Sequence, residues 1–272
     1  MPEGHTVHRT ANQFNRAFKG QPISIDSPQG RFAQSAELVA GTKLKQAVAI
    51  GKQLFLHFDE GRTVRIHLGI YGKWRWYELE PEADLPAVQG EVRARFFGLD
   101  ARGKLRLAEL RGPTVCEVLE HHEVAEVTKR LGADPLNPDP TGSEYARFEE
   151  KVLKSAKAIG LLLMDQSVIS GIGNVYRAEI LFRAGLNPHR PGRDLQPSQV
   201  ADIWRDSVEL LQVGVRTGVM ITRDEHLRKD PGKDHRNFVY KREGKPCRVC
   251  GTRVSIELAA GRKLYWCTGC QH

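Results

Sequence analysis

The sequence predicts an α+β fold: an N-terminal β-sandwich with flanking helices, a helical second domain, and a cysteine-bearing β-hairpin at the end of the chain. Three observations lead there. Residues 43–110 carry runs rich in β-branched and aromatic side chains, separated by DEG, proline-rich and ARG breaks. Beyond RGPTVCE the apolar spacing turns helical. Between residues 247 and 270 two C-x2-C pairs, CRVC and CTGC, stand sixteen residues apart.

Each element follows from its local pattern. Val7, Ala11, Phe14 and Phe18 mark one face of a first helix that ends at Gly20. The strands come from KLKQAVAIGKQLFLHF, TVRIHLGIYGKWRWYE, EVRARFFGL and GKLRLAEL. Val64, Ile66, Leu68 and Ile70 alternate with polar residues, so one face of that strand is expected to be buried. Antiparallel strands plus a helix give the sandwich. SEYARFEEKVLKSA, residues 167–184 and PSQVADIWRDSVELLQVGV have helical spacing; in the last, Val200, Ile203, Trp204, Val208 and Leu211 share a face. The expected domains are 1–115, 116–222 and 223–272, the last opening on a charged linker.

The formal charge is +8, and it is uneven. Residues 1–115 hold 17 Lys and Arg against 12 Asp and Glu, net +5; residues 116–219 hold 12 against 15, net −3; residues 220–272 hold 12 against 6, net +6. Two basic ends fit either a polyanion partner or a merely soluble basic protein. No apolar run approaches bilayer length and the first twenty residues are polar throughout, so no membrane segment or secretory signal is expected and the protein is read as cytoplasmic.

Disulfides are rare in such a compartment, and the spacing of Cys247, Cys250, Cys267 and Cys270 matches a four-thiolate Zn2+ site. Between the pairs, Val254, Ile256 and Leu258 alternate, AAGR turns, and Leu264 and Trp266 alternate, which reads as a hairpin. Four thiolates close the coordination shell, so the ion is structural, and a short basic tail with little core needs such a staple. Cys116 has no partner in the pattern and is expected to be a small buried side chain.

Two short stretches carry chemistry. In MPEG, removal of Met1 exposes Pro2 as a secondary amine; an α-amino group has a pKa of about 7.7–8.0, so much of it is free base at neutral pH. Glu3 follows at once. The alternative is an ordinary tolerated proline near a chain end. In SGIGNVYRAEIL, Gly171, Gly173 and Asn174 precede a helix whose free N–H groups suit a phosphate, or else form a plain helix-to-helix turn with Asn174 as N-cap.

MPEG, IGKQLFLHF, HLGIYGKW, LGADPL, MDQSVISGIGNVYRAEILF and GRKLYWCTGCQH, in this order and spacing, resemble the formamidopyrimidine-DNA glycosylase / endonuclease VIII family of oxidised-base repair enzymes. The likeness spans essentially the whole chain. The YWCTGCQH terminus and Ile70-Tyr71 look more like endonuclease VIII than its sister enzyme. The resemblance implies a bifunctional DNA glycosylase and AP lyase that attacks C1′ of a damaged nucleotide with Pro2. Glu3 is then general acid/base, and Lys52 assists β-elimination and contacts phosphate. Arg262, at the hairpin tip, grips a phosphate beside the lesion through a planar fork.

It further implies that Asn174 belongs to a helix–two-turn–helix that clamps phosphates, and that Arg130 contacts DNA. Ile70 and Tyr71 either fill the gap left by a flipped nucleotide or are plain strand core. The partner is damaged DNA, the protein a nucleoid-associated monomer, and oxidised pyrimidines the preferred lesions. The alternative from another class is a non-catalytic nucleic-acid clamp, which has no need of Pro2 beside Glu3.

Overall fold

The computed structural model describes residues 2–272; the expected loss of Met1 falls outside them. They divide into two units, one of Pro2 with Thr6–Arg130 and one of Glu3–His5 with Leu131–His272.

Helix α1 (Gly4–Phe18) enters the first unit at Thr6 and presents Val7, Ala11, Phe14 and Phe18 as its buried face. Two antiparallel four-stranded sheets follow. One is ordered β1-β6-β7-β5, with β1 Ser24–Asp26, β5 Lys73–Leu79, β6 Ala94–Leu99 and β7 Leu105–Arg111. The other is ordered β2-β3-β4-β8, with β2 Leu44–Ile50, β3 Gln53–Phe58, β4 Thr63–His67 and β8 Val115–Leu119. A single core joins them: Ala47, Leu54, Leu56 and Ile66 come from one sheet, and Ala94, Phe96, Ala108 and Leu110 from the other. Phe14 lies at its centre, edge-on to Trp74 and Trp76 at 5.0 Å each and to Phe96 at 5.6 Å. Burying such a ring contributes about 1.5–3 kcal/mol. This is the expected β-sandwich. A short helix, α2 (Ala33–Glu37), joins β1 to β2.

Two readings change. The segment after RGPT does not turn helical at once: Val115–Leu119 pairs with β4, and only then does α3 (His121–Lys129) begin, with Glu120 and Glu123 as reciprocal caps. The alternation of Val64, Ile66 and Leu68 stops at Gly69, whose φ of +63° starts a tight turn. A side chain there would lie 1.8 Å from Thr114 Oγ1, so glycine is required. Cys116 is half-buried against the core, and burial pushes its thiol up to about 12.

The second unit holds α4 (Ser143–Leu153), α5 (Ile159–Leu162), α6 (Asn174–Arg183) and α7 (Pro197–Thr217), then the hairpin β9 (Ser255–Ala259) and β10 (Arg262–Trp266). Residues 167–184 are not one helix: the chain turns through Ser170–Gly173 and α6 starts at Asn174. Asn174–Phe182 of α6 are all buried, so this helix is the axis of the unit. Among the described residues no helix is long and apolar enough to cross a membrane.

Candidate active site and cysteine centre

The N-terminus of α6 is already occupied. Gly173 N–H donates to Glu3 Oε2 at 2.7 Å and Val175 N–H to Glu3 Oε1 at 2.9 Å, so the buried Glu3 carboxylate sits where the helix dipole favours an anion. Sequence reading offered these N–H groups to phosphate; two of them serve a carboxylate from the other end of the chain. The turn is built for that approach. Gly4 N–H bonds Gly171 carbonyl at 2.8 Å, and the Gln166 amide brackets the turn by accepting from Gly171 N–H and donating to Ile172 carbonyl. Gly173 is the N-cap, not Asn174, and a Cβ there would lie 2.5 Å from Glu3 Cδ.

Asn174, first in the helix, faces the hairpin. Its Nδ2 donates to Lys263 carbonyl at 2.8 Å, and its Oδ1 accepts from Arg177 Nη2 at 2.5 Å, which also donates to that carbonyl at 2.9 Å. Lys263 follows Arg262, which is exposed at the start of β10 beyond the Ala260-Gly261 turn. Glu3, Asn174 and the strand bearing Arg262 therefore meet around one helix end.

Two charged residues of this helix escaped sequence reading. Arg177 is fully buried, and burial, then Arg262, lowers its pKa to about 10. Glu179 is also fully buried; its carboxylate accepts N–H bonds from Phe238, Val239 and Tyr240 at 2.7–2.8 Å and the Thr222 hydroxyl at 2.6 Å. Burial and the Glu3 charge push the Tyr240 phenol above the ordinary range. The one available signal was RAE inside an apolar run, which reads as surface until α6 proves central.

The four cysteines converge as expected. Their sulfurs lie within 4.8 Å of one another, with Cys247 to Cys270 at 3.8 Å and Cys250 to Cys267 at 3.5 Å. A disulfide needs about 2.05 Å. A tetrahedral ion about 2.3 Å from each sulfur sets S···S edges of about 3.8 Å, so the donor set fits a metal ion. The hairpin faces differ from expectation: Leu264 and Tyr265 are buried, whereas Leu258 is 75% exposed and Ile256 41%.

The remaining site residues belong to the first unit. Pro2, half-buried, precedes Glu3 by one peptide bond. Lys52 lies in the β2–β3 turn, and Gln53 pairs with His67, so Lys52 and the Leu68–Gly72 turn leave the same end of one sheet. Burial, with the charges of Lys52 and Arg65, holds His67 below its ordinary pKa, and its Nδ1 accepts Gly69 N–H at 3.1 Å. Ile70 is 57% exposed and Tyr71 84%, which removes the strand-core alternative for both. Arg130 is exposed at the C-terminal end of α3.

Family models agree with this layout. The formamidopyrimidine-DNA glycosylase N-terminal domain matches residues 1–116, and the H2TH domain of the same enzymes matches residues 131–226. A protein named Endonuclease 8 1 from Mycobacterium tuberculosis is 44% identical over 275 residues, covering all of both chains. The chain belongs to the formamidopyrimidine-DNA glycosylase family. Endonuclease 8 of Escherichia coli K12 is 29% identical, again over the full length of both. The fold is shared with Thermus thermophilus MutM (Fpg), at TM-score 0.73 and 25% identity over 99% of this chain and 98% of that one. It is shared too with Lactococcus lactis formamidopyrimidine-DNA glycosylase bound to AP-site DNA, at 0.76 and 23% over 99% of each. This family member is a base-excision-repair DNA glycosylase and AP lyase, and no observation favours the non-catalytic clamp.

Proposed function

We propose that this glycosylase removes oxidised pyrimidines from DNA through a Schiff base on Pro2 and then cleaves the strand by β,δ-elimination. With Met1 removed, the Pro2 nitrogen forms a bond to C1′ while the glycosidic bond breaks; the base leaves with that electron pair and takes up a proton. The nitrogen then loses its proton and the C1′–O4′ bond breaks, O4′ taking up a proton as the sugar ring opens; the resulting iminium is built on a secondary amine, so it has no N–H to lose and stays a cationic electron sink. Loss of a C2′ proton then expels the 3′ phosphate, and a second elimination expels the 5′ phosphate. Hydrolysis of the iminium frees Pro2.

The observation that carries this reading is Glu3. A carboxylate held by two N–H groups at a helix N-terminus is a fixed negative charge, and it follows Pro2 directly. It stabilises the positive charge that develops at C1′ and accepts the protons the eliminations release. Lys52 assists the first elimination and holds phosphate; Arg262, Asn174 and Arg130 hold the backbone; Ile70 and Tyr71 fill the gap left by the flipped nucleotide. The four cysteines hold one structural Zn2+, which keeps the Arg262 hairpin folded. The protein acts as a cytoplasmic, nucleoid-associated monomer. Its working parts divide as 1–115, 116–222 and 223–272.

The pyrimidine preference rests on two supports. Full-length relatives at 29% and 44% identity carry the endonuclease 8 name. Saturated pyrimidines also stack poorly, so extruding them costs less than the few kcal/mol of an intact base. Single-turnover excision of thymine glycol is expected to outpace that of 8-oxoguanine opposite cytosine in matched duplexes. Faster release of 8-oxoguanine overturns the preference; release of neither overturns the enzyme reading.

A further inference from the structure

We propose that Arg177 is a positioning residue for the DNA-phosphate site: it aligns Asn174 with the Arg262 strand and keeps a second positive charge beneath Arg262 that phosphate neutralises. This rests on the reading of Asn174 and Arg262 as phosphate-binding residues. Three observations converge on it. Arg177 is fully buried, yet among the described residues no carboxylate pairs with it, and its Nε and Nη1 have no hydrogen-bond partner. Its remaining nitrogen, Nη2, bridges Asn174 Oδ1 and the Lys263 carbonyl, one residue from Arg262. The charge of Arg262 opposes its own and those of Glu3 and Glu257 favour it, but neither carboxylate hydrogen-bonds it.

A buried guanidinium without a counter-ion is costly, and buried charges are ordinarily paired. Simple packing of α6 is served at lower cost by an apolar side chain of similar volume. A cation held uncompensated beside an exposed arginine instead favours a group of higher negative charge. A phosphate supplies it; Glu3 does not bond the guanidinium, because its carboxylate accepts from the N–H groups of Gly173 and Val175.

The test is a double-mutant cycle on duplex containing a stable abasic-site analogue, read as Kd across a salt series. Zinc content and the thermal midpoint are measured on every variant. Arg177→Gln is expected to keep zinc and weaken binding by about 10–100-fold, the loss of charge-assisted hydrogen bonds. The slope of log K against log salt is expected to fall by about 0.9, one phosphate's worth. Arg177→Gln combined with Arg262→Ala should bind no worse than Arg262→Ala alone, because the two act on one phosphate. Arg177→Lys, which keeps the charge, should recover most of the salt slope.

Additive losses in the cycle, an unchanged slope, or wild-type affinity of Arg177→Gln overturns the proposal. So does loss of zinc from both Arg177 variants, which makes the residue a prop of the hairpin alone. If Arg262→Ala and Asn174→Ala both bind as the parent does, the underlying phosphate reading has failed instead.

Discussion

Gly173→Ala is expected to cost nearly as much activity as removing Glu3 itself. The new Cβ lies 2.5 Å from Glu3 Cδ and 2.7 Å from Oε1, so the carboxylate must leave its two N–H donors. Neither side yields easily, because Glu3 is fully buried and Gly173 opens a helix buried through nearly all its length. Displacement leaves buried donors unpaired at about 1–3 kcal/mol each and moves the anchored negative charge that follows Pro2 in the chain. Positioned acid–base groups contribute about 10²–10⁴-fold, and a loss of that size is expected in single-turnover excision for both Gly173→Ala and Glu3→Gln. Binding to an abasic-site duplex should change far less. Near-normal excision by folded Gly173→Ala would show that the carboxylate position does not govern the chemistry.

Removing the metal should be as damaging and more local. The cysteines surround a small core of Val239, Val254, Tyr265 and Cys267, joined to α6 through Ala178 and Phe182. That cluster is too small to fold on apolar burial alone, whereas thiolate–zinc binding supplies about 10–16 kcal/mol in isolated fingers. Cys247→Ser, or chelation, is expected to release the hairpin and abolish incision. The sandwich and the α4–α7 core should survive, so most of the far-UV circular dichroism and a cooperative melt should remain. Undiminished incision by zinc-free protein would remove the hairpin from the site.

What the sequence made legible was local or periodic. The face of α1, the strands from Leu44 to Arg111 and the cysteine pairs each announce themselves within a few residues. Resemblance supplied the role of Pro2 and Glu3, but not the way Glu3 is held. A side chain capping a helix some 170 residues away leaves no local signal, because both partners look ordinary where they stand. Ile70 was misleading for a different reason. Its alternation with Leu68 is real, but Gly69 ends the strand and exposes the next two residues. Leu258 likewise alternates correctly on a hairpin whose outer face nothing in the second unit covers. Arg177 and Glu179 were invisible because charge in a helix reads as surface, and only packing shows α6 to be central.

The central claim is that Pro2 performs the chemistry beside an anchored Glu3, and covalent trapping tests it most directly. Fully processed protein is turned over on a thymine-glycol duplex in the presence of borohydride, and the reduced adduct is digested and mapped. The expected result is one protein–DNA adduct on the Pro2 nitrogen, lost when Met1 is retained. An adduct on Lys52 or another lysine, or steady incision with no adduct at all, would contradict it.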